Sequence, residues 1–254
     1  ASTPQESVRP AASRGKGSAA IDLTQLVKQG ESLSKRLTEK MRDDLTRCDD
    51  DHEHVEPNYA AAPSEKRAEQ LREMAINRPT HVFVQAGVGS LAGAVVGYFT
   101  NLYPDNPPTF VVVECAPAAC LYKGAAAGDG DPRIVDGDMP SIMAGLCCGE
   151  PNILGWDILR NHTTAFVSCP DWVTARGMRT LGAPEKGDPR VISGESGAVT
   201  TGLVETLMLD PEYAELKELI GLDKTSSVLC FSTEGDTDPD QYRRIVWEGE
   251  YPTC

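Results

Sequence analysis

THVFVQAGVGSLAGAVVG, residues 80 to 97, carries an apolar run into a glycine-rich turn and then into a small-residue segment of helical composition. Val82, Phe83 and Val84 favour a buried strand, Gly87 and Gly89 permit tight backbone turns, and Leu91 onward reads as helix. Such a turn aims unpaired backbone N–H groups, helped by the positive end of the helix, at an anion, and phosphate is the common occupant. Glycine at a strand-to-helix junction is also ordinary turn punctuation, so the rest of the chain must decide between the two.

Outward from that turn, composition sets bounds. The 254 residues are 40% hydrophobic and 24% charged, which suits one α/β domain with an appendage or two small domains. No apolar run approaches the roughly 20 residues that span a bilayer, and the polar N-terminus lacks a secretory apolar segment. A cytoplasmic protein without a membrane partner is expected. A net charge of −14 argues against a nucleic-acid partner, which needs a concentrated basic surface. The eight cysteines show no paired CxxC spacing, and most are expected to be buried thiols. Adjacent Cys147 and Cys148 fit a packed pair better than a metal ligand or a redox thiol. No metal site is expected.

Residues 1 to about 20 are rich in Ser, Ala, Pro and Gly and read as disordered; Lys16 in RGKGS lacks the full phosphate-loop pattern. From Asp22 to about Thr46, Leu23, Leu26, Val27, Leu33, Leu37, Met41 and Leu45 recur at helical spacing and predict an amphipathic helix. The run Asp49 to His54 reads as a solvated linker rather than a metal site. A helix over 64–76 follows. The expected division is therefore 1–63, tail, helix and linker, and 64–254, an α/β domain. Within it, strands are expected at 80–85, 109–114, 165–168, 190–193 and 227–232. Helices are expected near 90–100, 116–123, 139–147, 171–181, 196–208 and 211–220. This alternation predicts a mainly parallel sheet with helices on both faces, and ligands at the carboxyl ends of its strands. Three polar loops fall at that edge: 85–90, 193–198 and 232–238.

Two readings of the turn follow. Gly87, Gly89 and Gly93 with Glu114 at the end of the next strand fit a dinucleotide site, the carboxylate holding ribose hydroxyls. The other reading gives the later loops roles as well. THVFVQAGVGSLAGAVVGY, SIMAGLCCGEPNILGWDILRN, PRVISGESGAVTTG and STEGDTDPDQYRRIVWEG stand in the order found in diaminopropionate ammonia-lyases. Over about residues 79 to 250 the chain resembles that family, part of the tryptophan-synthase-β-like, fold type II group of pyridoxal-phosphate enzymes; residues 1–63 do not share the resemblance.

The resemblance implies pyridoxal 5'-phosphate as cofactor and α,β-elimination on 2,3-diaminopropionate to pyruvate and ammonia. It implies that N–H groups of Ala86, Gly87, Val88 and Gly89 hold the phosphate, and that Ser232, or its neighbour Thr233, turns a hydroxyl to the pyridine nitrogen. Glu195 would line the site or stabilise its helix start; Asp236 and Thr237 would line it or form a turn and cap before Pro239. Gly149, Glu150, Pro151, Asn152 and Trp156 would shape a loop. Cys120 and Cys148 match a family cysteine pair and imply a bridge, which a reducing cytosol disfavours. A homodimer acting on a small amino-acid substrate is typical of the complete family member.

The family's Schiff-base lysine, carried in an Asn/Ser-Phe-Lys motif ahead of the glycine turn, is absent, so no catalytic residue is identified. Lys123, Lys186, Lys217 and Lys224 read as solvated charges. The chain is accordingly expected to be inactive alone: a fragment of a complete lyase, or else a pseudoenzyme serving a partner, or one half of a split enzyme.

Overall fold

The computed structural model describes residues 19–22 and 78–252. Its strands are β1 (Ala19–Asp22), β2 (His81–Gln85), β3 (Thr109–Cys115), β4 (Ala165–Cys169) and β5 (Val228–Leu229). They form one all-parallel sheet in the order β1-β4-β3-β2-β5. β2 and β4 are buried at every position and β3 at all but its first. Their β-branched and aromatic runs lack polar alternation because helices cover both faces.

Successive residues serve opposite faces. Val82, Val84, Phe110, Val112 and Phe166 pack against α1 (Ser90–Leu102), α2 (Cys120–Ala127) and α3 (Ile153–His162) through Phe99, Leu121 and Trp156. Phe83, Val111, Val113 and Val167 pack against α4 (Asp171–Gly182), α5 (Glu195–Leu209) and α6 (Ala214–Ile220) through Val173, Leu203 and Leu216. The last helix, α7 (Pro239–Glu248), lays Tyr242 and Ile245 on Met178 of α4. Burying each such aromatic or aliphatic side chain stabilises the fold by about 1.5–3 kcal/mol, so the sheet is held from both sides.

Several expectations are corrected. No strand forms over 190–193: Val191 N–H donates to Leu181 O (3.0 Å) and Gly194 N–H to Glu234 O (3.1 Å), tying this backbone to α4 and to the 232–238 loop instead of the sheet. The strand expected over 227–232 shrinks to Val228–Leu229. The helix expected over 139–147 reduces to a single 3-10 turn, Ala144–Leu146, in a stretch broken by Pro140 and Gly145. Two helices lie beyond the expected set. α3 starts at Asn152, whose side chain accepts the Gly155 N–H at 2.8 Å. α7 starts at Asp238, which accepts from Gln241 N–H at 2.9 Å, with Pro239 in its first turn. The strand Ala19–Asp22 replaces the end of the expected disordered tail. The rest of the helix expected from Asp22, the helix over 64–76, the acidic run and the boundary at 63/64 lie outside the described residues.

Candidate functional site

The 85–90, 193–198 and 232–238 loops converge at the carboxyl edge of the sheet. They surround a cleft of about 290 Å³, walled by residues 85–91, Ser196 at the start of α5, and Thr233 and Glu234. A fourth wall, Gly145, Leu146 and Cys148, comes from the 3-10 segment that the sequence reads as helix.

At the glycine turn β2 hands over to α1 through Gly89, whose φ of 91° is the left-handed region that a side chain strains. A Cβ there would also sit 3.2 Å from methyl carbons of Leu121 and Leu159. Ala86 does not serve the cradle as expected, because its N–H donates to Val113 O at 2.8 Å, extending the β2–β3 ladder by one bond. The N–H groups of Gly87, Val88 and Gly89 donate to no acceptor among the described residues. The first turn of α1 carries no acidic residue, so its positive end is uncompensated within the helix. This is an anion site of three backbone donors and a helix end, one donor fewer than the sequence implies.

Across the cleft, Thr233 lines the wall and its Oγ1 accepts from Gln85 Nε2 at 2.8 Å. Ser232, the first choice for the cofactor-facing hydroxyl, turns away: its Oγ donates to Ser193 Oγ at 3.0 Å and it is not part of the lining. Glu195 is buried outside the cleft, where Oε1 accepts from Gln241 Nε2 at 2.9 Å and joins α5 to α7. Asp236 and Thr237 are exposed and also outside the lining; Thr237 N–H closes a turn on Gly235 O at 3.0 Å, and the cap of α7 falls to Asp238. Glu234, not singled out from the sequence, reaches the cleft and accepts from Ser196 N–H at 2.6 Å.

Cys120 and Cys148 are free thiols, so the implied bridge is not formed; Cys120 Sγ instead donates to Cys148 O at 3.6 Å. A second pair, Cys115 and Cys147, brings its sulfurs to 3.8 Å. Burial pushes the Cys120 thiol up to about 12 and drives Cys115 upward as well, with Cys147 adding to the latter. Among the described residues no three His, Cys, Asp or Glu side chains group as a metal site, and no helix is long and apolar enough to cross a membrane.

Glu114 overturns the dinucleotide reading. Its side chain accepts from the N–H groups of Leu121 (2.9 Å) and Tyr122 (2.6 Å), so both oxygens cap the start of α2 and none faces a ribose. It is buried, and desolvation pushes its carboxyl up to about 8 against the pull of those donors.

An anion cradle at the carboxyl edge of a parallel α/β sheet, with a hydroxyl across a small cleft, defines a protein built to hold a compact phosphorylated ligand. The family model described as pyridoxal-phosphate dependent enzyme matches residues 31–217, and the chain belongs to that family. It is 49% identical over 191 residues to the diaminopropionate ammonia-lyase of Escherichia coli strain K12, covering 75% of this chain and 47% of that protein. To the Salmonella typhimurium diaminopropionate ammonia-lyase it is 50% identical over 182 residues, 71% of this chain and 45% of the relative. The crystal structure of the Escherichia coli enzyme in complex with D-serine superposes with a TM-score of 0.68 at 45% identity, covering 76% of this chain and 47% of that one. The chain therefore spans about half the length of the curated relatives it matches. A Thermus threonine deaminase, 15% identical with a TM-score of 0.51 over 67% of this chain and 56% of that one, shares the fold.

Proposed function

We propose that this chain forms the phosphate-binding half of a pyridoxal-phosphate-dependent ammonia-lyase that carries out α,β-elimination on 2,3-diaminopropionate, giving pyruvate and ammonia. The observation that supports it most is the cradle of Gly87, Val88 and Gly89 N–H groups at the start of α1, in a chain 49% identical to an enzyme of that name. The cradle fits the cofactor's phosphate: it offers donors without acceptors, no acidic residue in the first helical turn, and a glycine where a side chain would be strained.

When bound, pyridoxal phosphate supplies the electron sink that lets the α-proton of an amino acid leave. The chain's own residues anchor and orient it. Gly87, Val88 and Gly89 donate to the phosphate oxygens, while Thr233 presents its hydroxyl to the ring end. Leu146 and Cys148 form a wall that limits water at the ring. None of Lys123, Lys186, Lys217 and Lys224 lines the cleft, so the amine that takes the cofactor's aldehyde and moves the α-proton comes from outside the described residues. Six free thiols among the described residues suit a cytoplasmic setting, and a homodimer completes the reading by analogy with the complete family member.

Titration of the chain with pyridoxal phosphate and, separately, pyridoxal tests this. The phosphate should confer at least tenfold tighter binding, and Gly89→Val should abolish the difference. Equal affinities, or preference for a nicotinamide dinucleotide, would sink the assignment.

A further inference from the structure

Gln85 closes β2 at the cleft wall with 2% of its surface exposed. Its Nε2 lies 2.8 Å from Phe231 O and 2.8 Å from Thr233 Oγ1. A carbonyl can only accept, so the Phe231 contact fixes which end of the amide points there. The same NH2 group has no lone pair to offer, so at Thr233 it donates and the hydroxyl oxygen accepts. One lone pair of Thr233 is thereby occupied, and the hydroxyl's own proton is left to be donated elsewhere. Thr233 faces the cleft, and Gln85 Oε1 beside it has no hydrogen-bond partner although buried.

We propose that Gln85 is a positioning residue that fixes the sense of the Thr233 hydrogen bond, holding the hydroxyl as a donor toward an unprotonated ring nitrogen of the bound cofactor. This deepens the pyridoxal-phosphate reading and rests on it. An amide that only tied β2 to the segment after β5 would look alike in the fold but would leave ring protonation alone. The polarity makes the two separable. A carboxylate at position 85 can only accept, so it draws the Thr233 proton toward itself and turns a lone pair to the ring, which then favours a protonated nitrogen.

The test uses the 254-residue chain loaded with pyridoxal phosphate labelled at the ring nitrogen, whose protonation is followed by NMR across pH. In the unaltered chain the nitrogen stays unprotonated through neutral pH. Q85E should raise its apparent pKa by about one unit or more, a tenfold gain in proton affinity. Q85M, which keeps the volume without the amide, should shift it in the same direction by less, and it carries the test where Q85E does not fold. Bound cofactor whose ring titration is the same in all three chains would overturn the role of Gln85 and leave the phosphate cradle standing. Failure of the unaltered chain to hold pyridoxal phosphate more tightly than pyridoxal would overturn the underlying reading, and this inference with it.

Discussion

Gly89 and Glu114 show how single residues hold the cradle in place. At Gly89 a left-handed backbone meets two leucine side chains, so Gly89→Ala should lower stability by about 1–3 kcal/mol in denaturant titrations, well beyond the Gly→Ala effect at an ordinary helical site. Glu114→Ala strips the acceptors from two backbone N–H groups at the start of α2, where water has poor access. A loss of at least about 2 kcal/mol is expected in the same measurement, with Glu114→Gln losing less because the amide oxygen still accepts one bond. The sequence marks Gly87 and Gly89 because only glycine answers certain backbone demands. It misassigns Ala86 and Ser232, because a strand run does not say at which residue the ladder ends, nor a polar doublet which hydroxyl turns inward. Gln85 carried one faint signal, a polar residue closing an apolar strand.

At the scale of elements, two close approaches carry the packing. α4 and α5 cross where a Cβ on Gly202 would sit 1.9 Å from Val173 O and one on Gly177 would sit 2.2 Å from Ala198 O. Gly202→Ala should force the helices apart and cost about 1–3 kcal/mol, read as a lowered thermal midpoint. The 145–148 segment presses its backbone against the cradle and exposes Cys148 to the cleft. Alkylation mapped by mass spectrometry should therefore reach Cys148 before the buried Cys115 and Cys169, and pyridoxal phosphate should slow it at Cys148 while leaving Cys230 unaffected. Strong periodicity made α1, α4 and α5 legible. α3 and α7 were hidden because their starts, Pro-Asn and Asp-Pro, read equally as turns, and a cap becomes a cap only when a helix follows it.

For the whole molecule, His81 is the pH-sensitive joint. It ties β2 to the end of α6, with Nε2 2.9 Å from Ile220 O and Nδ1 2.8 Å from Thr80 Oγ1. Burial lowers its pKa below 6.5, so between the two values the unfolded chain binds a proton that the folded one does not. Its contribution to stability is thus constant above about 6.5 and falls as pH drops below it. Denaturation midpoints measured from pH 7.5 to 5 should decline, and His81→Gln should flatten that decline.

The sequence by itself determined the alternation of apolar runs and helices, hence a parallel sheet, and the glycine turn, because strand burial and left-handed backbone are local demands written in residue type. Tertiary structure alone decided the strand order β1-β4-β3-β2-β5, the convergence of the 145–148 segment on the cleft, and the choice of Thr233 over Ser232. Those depend on which distant groups meet, and a hydrogen bond between Gln85 and Thr233, 148 residues apart, has no trace in either neighbourhood alone.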